Sequence, residues 1–158
     1  MVECYPIKKI SYYGTFVFLD LDRFRNCIEK KGWSEFKPNS ISGFLTEELE
    51  KYVRKYRGLV IWGLNKRRGT EEAILFFHQK SKIIYELFEN IRRKIKRLAE
   101  KLDAPTSLSI GMVRGAAPLI KQIKSHNKKE FKKDPNILMA YRALKKAKKN
   151  GGNCIVQL

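Results

Sequence analysis

The stretch Thr15–Arg25, TFVFLDLDRFR, constrains the chain more than any other. Phe16, Val17, Phe18 and Leu19 form an unbroken apolar run, which suits a central strand covered on at least one face. Asp20 and Asp22 follow, two residues apart. In an extended chain, positions i and i+2 point to the same face. Two acids on one face repel each other unless something positive sits between them. Mg²⁺ is an oxygen-seeking cation often held by one or two carboxylates together with substrate phosphates. An acid at this place can instead cap the helix that follows. Both readings stand, and they can divide, with Asp22 capping while Asp20 binds metal.

The flanking pattern predicts the rest of the domain. Pro6–Ile10 reads as an extra edge strand, and Phe24 and Ile28 mark a short helix stopped at Gly32. Ser40 or Ser42 is positioned to cap a helix reaching Tyr56, with Ile41, Phe44, Leu45, Leu49, Tyr52 and Val53 on one face. Leu59–Leu64 and Ala73–Phe77 read as the strands of a hairpin around the turn Asn65–Gly69. Ser81–Leu102 is the clearest amphipathic helix. Ser107–Val113 is a strand, Pro118–Ile123 starts a helix, and Ser125–Pro135 is a basic loop or insertion, placed around residues 121–136. Asn136–Lys149 is helical, and Cys154–Leu158 is a last edge strand. The order of elements predicts an α+β fold: a mostly antiparallel sheet with helices packed on it, in one domain over residues 1–158.

Apolar residues make up 43% of the chain, which excludes global disorder. The formal charge of +18 favours phosphate-bearing partners. Between Lys121 and Lys149 there are eleven Lys or Arg against two acids, Glu130 and Asp134, an imbalance that attracts nucleic acid through counterion release. A solvated surface rich in Lys, Arg and Glu is the other account of such charge. Cys4, Cys27 and Cys154 are too far apart to suggest a zinc site or a disulfide framework. No segment reads as a signal peptide or a membrane span, so a cytoplasmic protein without membrane contact is expected. His78 and His126 are isolated, Trp62 reads as core, and Trp33 is open to packing or to stacking on a base.

With Asp20 and Glu71 converging at one sheet edge, the two carboxylates would form a site for a Mg²⁺-triphosphate, with lysines on the phosphates. Four segments in order resemble the GGDEF and nucleotide-cyclase palm domain, which is ferredoxin-related. LDLDRF at Leu19–Phe24 resembles the DxDxFK metal motif, with Asp20 as the metal-binding acid. GTEEAILF at Gly69–Phe76 resembles the GGDEF hairpin, with Glu71 in the place of its metal-binding acid. SLSIGMV at Ser107–Val113 resembles the SIG strand, and ALKKAKKNGGNCIV at Ala143–Val156 resembles the closing ALYxAKxxGRNxV motif, with Lys148 as the phosphate lysine. Ala117-Pro118-Leu119 is similar to the palms of CRISPR polymerases.

The resemblance implies a palm-like domain that binds nucleoside triphosphate with Mg²⁺ or Mn²⁺, as a nucleotidyl cyclase or nucleotidyltransferase. Asp20 and Glu71 would be catalytic and metal-binding. Leu21, Gly69, Thr70 and Lys148 would contact nucleotide, Leu21 through its backbone. A palm that joins two nucleotides needs two chains face to face, which implies a homodimer. The sequence also departs from the pattern. Thr70 replaces the second Gly, Ala73 the Phe, and Gly152 the Arg of the closing motif; Ile28 stands where the family reads guanine. No RxxD precedes Gly69, so the family's product-inhibition site is missing. The alternative is therefore a catalytically degenerate palm that binds nucleotide, RNA or DNA through its basic surface.

Overall fold

The computed structural model describes residues 13–118 and 128–158, so the expected strand at Pro6–Ile10, the helix at Pro118–Ile123 and His126 lie wholly or largely outside the described residues. Among the described residues, five strands form one sheet in the order β2-β3-β1-β4-β5. The strands are β1 (Tyr13–Leu21), β2 (Leu59–Trp62), β3 (Glu72–Phe77), β4 (Leu108–Ala116) and β5 (Ile155–Gln157). The pairs β1–β3, β1–β4 and β2–β3 are antiparallel, while the edge strand β5 runs parallel to β4. The helices are α1 (Phe24–Lys31), α2 (Ser40–Tyr56), α3 (Ser81–Lys101), the short α4 (Lys128–Phe131) and α5 (Pro135–Lys149).

Helices cover both faces of this sheet, which is why β1 reads as a continuous apolar run rather than an alternation. Val17, Leu19 and Leu21 face one core, packed with Ile41, Leu45, Phe88 and Ile91 from α2 and α3. Phe16 and Phe18 face a second core with Phe131, Ile137, Ala140 and Leu144 from α4 and α5. Asp20 continues the Phe16–Phe18 row, so the strand's period delivers it to the α5 side of the sheet.

Local chemistry sets the boundaries. Asn39, rather than Ser40 or Ser42, caps α2: its Oδ1 accepts from the N–H groups of Ile41 and Ser42, and Ser42 Oγ accepts from Asn39 N–H. This is a capping box with Ser in the usual Glu or Gln place. The strand expected to run to Leu64 ends at Trp62, because Gly63 and Leu64 turn into left-handed backbone. The basic stretch after residue 127 is not all loop. It contains α4, and Asp134 then caps α5 by accepting from Asn136 and Ile137 N–H, with Pro135 in the first turn.

Helix α5 lies close against β4 because Gly111 has no side chain. A Cβ there would collide with the Ala140 carbonyl and the Leu144 amide, neither of which is a flexible side-chain end. Gly111→Ala should therefore lower stability by about 3 kcal/mol through overpacking. Denaturant unfolding of the purified variant measures this, and an unchanged midpoint would contradict so close an approach.

Candidate active site at the carboxylate end of the central strand

Asp22 is the organising acid of the site, and it is not a helix cap. The N-cap position of α1 is Arg23, in left-handed backbone with no side-chain cap. That turn sends the Asp22 side chain toward β4 and α5, where it is buried. Its Oδ2 accepts from Ser107 Oγ at 2.6 Å and from the Asn153 N–H at 2.9 Å. Its Oδ1 accepts from Ser109 Oγ at 2.7 Å and from Lys148 Nζ at 3.1 Å. Burial alone would raise its pKa; hydrogen bonds from Ser107, Ser109, Asn153 and Lys148 outweigh that and hold the carboxyl below its ordinary value.

Asp20 has the opposite environment. Among the described residues its one charged donor is Lys148, whose Nζ lies 2.9 Å from Oδ2. Burial pushes its pKa up to about 6 against the pull of Lys148, and the negative charges of Glu72 and Glu71 add to the rise. Lys148 is itself held above its usual value, because Asp20 and Asp22 outweigh the cost of its burial. The lysine thus bridges two carboxylates, one already satisfied and one still in excess of negative charge.

Glu71 is exposed, and it is Glu72 that stands opposite Asp20 in the strand register. The carbonyl of Glu71 accepts from Leu21 N–H at 3.0 Å, so that amide is engaged within the fold, and Leu21 itself is buried. Gly69 is left-handed, and a Cβ there would collide with Ser42 Oγ. Thr70 is buried: its Oγ1 lies 2.7 Å from Thr46 Oγ1, and its N–H donates to Thr46 Oγ1 and to the Ser42 carbonyl. The hairpin loop is therefore anchored to α2. Trp33 packs against the larger core, and Trp62 stacks edge-on against Phe131 in the smaller one.

Between α1, α2 and the β2–β3 loop lies a cleft of about 860 Å³. Phe24, Ile28 and Val60 supply apolar wall, Arg25, Lys37 and Arg68 supply cations, and Gly69, Thr70, Glu71 and Glu72 form the side toward Asp20. Ser107, Ser109 and Asn153 are site residues that sequence reasoning missed. The alternating serines of SLSIG were the available signal, since hydroxyls on the same face as Asp22 are ready donors. Asn153 sits in left-handed backbone and is gripped by Arg92 of α3, which donates to its carbonyl at 3.2 Å and to its Oδ1 at 2.9 Å. Arg92 is in turn paired with Glu89. Among the described residues no group of three or more His, Cys, Asp or Glu gathers as a metal cage.

The GGDEF domain of DgcB from Caulobacter crescentus, in complex with c-di-GMP, superimposes with a TM-score of 0.59 at 15% identity, covering 92% of this chain and 75% of that one. The coiled coil and GGDEF domain of DgcB gives 0.57 at 15% identity, covering 92% and 70%. The guanylyl cyclase Cya2 gives 0.50 at 10% identity, covering 85% and 70%. No family model and no curated protein matches the sequence. The chain shares the fold of these GGDEF and guanylyl cyclase domains. No helix among the described residues is long and apolar enough to cross a membrane.

The two aspartates should respond to pH with opposite signs. Asp22 has a lowered folded-state pKa, so its stabilising contribution is present above the unfolded value of about 3.9 and lost as pH falls through the folded value. Asp22→Asn should therefore destabilise the protein at neutral pH by about 2 kcal/mol, a deficit that shrinks in acid. Asp20 has a raised pKa, so its contribution is favourable at low pH and lost as pH rises through about 6. Asp20→Asn should gain stability relative to the wild type as pH rises through that value. Thermal melts of the three proteins from pH 2 to 8 test both signs.

Proposed function

We propose that the chain is a nucleotide-binding palm that takes nucleoside triphosphate with Mg²⁺ or Mn²⁺ and acts as a nucleotidyl cyclase or nucleotidyltransferase. The observation that carries this reading is Asp20, a carboxylate pushed up in pKa at the end of β1, whose register partner Glu72 lines the cleft of about 860 Å³. Strong pKa perturbation at a cleft marks functional acids more often than structural ones. Asp20 and Glu71 supply only oxygen donors, which fits Mg²⁺ or Mn²⁺ completed by substrate phosphate oxygens rather than by a full protein cage. Bound there, the cation would neutralise phosphate charge and make a ribose hydroxyl easier to deprotonate.

The protein groups divide the remaining work. Lys148 is held protonated and turns from the aspartates to phosphate oxygens when substrate enters. Asp22 holds Lys148 near that position through the hydrogen bond to Nζ. The backbone of Gly69 and Thr70 lines the phosphate side of the cleft, and Ile28 presents an apolar surface to the base. Joining two nucleotides would bring two such clefts face to face in a homodimer, working in the cytoplasm where nucleoside triphosphates are held. A second reading, a palm without chemistry that binds RNA or DNA, is favoured by the cation-rich face of α5.

Calorimetry of ATP and GTP binding with and without Mg²⁺ or Mn²⁺ tests the first reading. Cation-dependent binding should weaken at least tenfold in Asp20→Asn. Absence of nucleotide binding in the wild type, or equal binding by the variant, would remove the metal-dependent palm and leave the second reading.

A further inference from the structure

The cations of this chain are not distributed alike. On α3, Arg92 and Arg93 pair with Glu89, Lys94 with Glu48 and Lys96 with Glu100. That is the mixed-sign surface expected of a solvated helix. Helix α5 differs: PNILMAYRALKKAKK carries Arg142, Lys145, Lys146, Lys148 and Lys149 and no acid. Arg142, Lys145, Lys146 and Lys149 are exposed, and none has a carboxylate partner among the described residues. Asp134, the acid at the start of the helix, is buried as the N-cap. Lys132, following α4, adds a further cation, its Nζ 3.7 Å from the centre of the Tyr141 ring, with Lys145 at 5.1 Å on the same ring.

The arrangement is directional. Tyr141, Lys145 and Lys148 are spaced i, i+4 and i+7, so they share one face of the helix. The row begins at Lys132 and Tyr141, whose ring packs on Phe18, and it ends at Lys148 on Asp20 and Asp22. From Arg142 to Lys149 the helix advances about 10 Å, the length over which one strand of a duplex presents about three phosphates.

We infer that the outer face of α5, with Lys132, is a track for the phosphodiester backbone of a nucleic acid that leads toward the Asp20–Lys148 site. The inference rests on the second reading above for the class of partner, and adds the surface and its direction. A lipid surface fits less well, because insertion needs an apolar face beside the cations. The exposed large apolar side chain on α5 is Met139 alone. The shared chemistry is phosphodiester, and the test separates RNA from DNA and nucleic acid from lipid.

The experiment is fluorescence anisotropy of labelled single-stranded RNA, single-stranded DNA and duplexes against salt, on the full chain. Two double variants alter net charge equally: Arg142→Glu/Lys149→Glu on α5, and Arg97→Glu/Lys101→Glu on α3. The α5 variant should weaken binding at least tenfold and lower the slope of log K against log salt by about 1.4 for single strands. The α3 variant should stay within about threefold of wild type. Circular dichroism confirms that both fold, and Lys146→Glu is the fallback should the α5 double variant fail to. Equal losses in the two variants would show diffuse attraction and overturn the track. So would wild-type binding to phosphatidylserine vesicles with none to nucleic acid. Nucleic-acid binding is read without nucleotide or Mg²⁺, and nucleotide binding without nucleic acid, so failure of the nucleotide proposal and failure of the track give different results.

Discussion

The buried carboxylate of Asp22 is the contact on which the site depends. Taking a charge out of water is expensive unless hydrogen bonds replace the lost hydration. Here the replacements come from four places: two hydroxyls flanking and within β4, the amide of Asn153 before β5, and the ammonium of Lys148 on α5. One side chain therefore ties the end of β1 to β4, to α5 and to the turn before β5. Thr106 adds a fifth link, its hydroxyl donating to the Asp22 carbonyl at 2.7 Å. The grip of Arg92 on Asn153 extends the network to α3, across the sheet from α5.

The same geometry separates two acids that sequence spacing makes look equivalent. Asp22 meets four donors and stays ionised easily. Asp20, two residues earlier, has only the shared lysine among the described residues, with Glu72 opposite it and the charge of Glu71 nearby. Pairs of carboxyls pushed apart in this way divide roles: one is structural, and the other retains charge that a ligand can satisfy. The lysine between them keeps the unliganded strand end from carrying uncompensated repulsion. Ionised Asp20 still costs stability, as functional acids commonly do.

Much of this was legible in the chain. The unbroken run Phe16–Leu19 identified the central strand, and the helical stripe of α3 was recovered to within a residue of its end. The order of the four palm-like segments anticipated the fold. What escaped was set by distant contacts. Nothing local says that Arg23 goes left-handed and carries Asp22 away from α1. Nothing local says that Asn153 meets an aspartate 131 positions away. The register that puts Glu72 rather than Glu71 opposite Asp20 is fixed by β-pairing along the whole of β3, and a one-residue shift of register would exchange the faces.

Thr70 shows why a departure from a motif is a poor guide by itself. A side chain in place of the second Gly of the hairpin would by itself narrow the room for phosphate. In the structure its hydroxyl is turned into the protein, where Thr46 and the Ser42 carbonyl engage its polar groups. Gly69 next to it must stay without a side chain, because it crosses Ser42 closely in left-handed backbone. The loop is thus fixed to α2 by a hydroxyl pair at one position and by close approach at the other. Threonine at position 70 exchanges the flexibility of a Gly pair for an anchored loop, and what limits phosphate approach is where that anchor holds the Gly69–Glu71 backbone relative to Asp20.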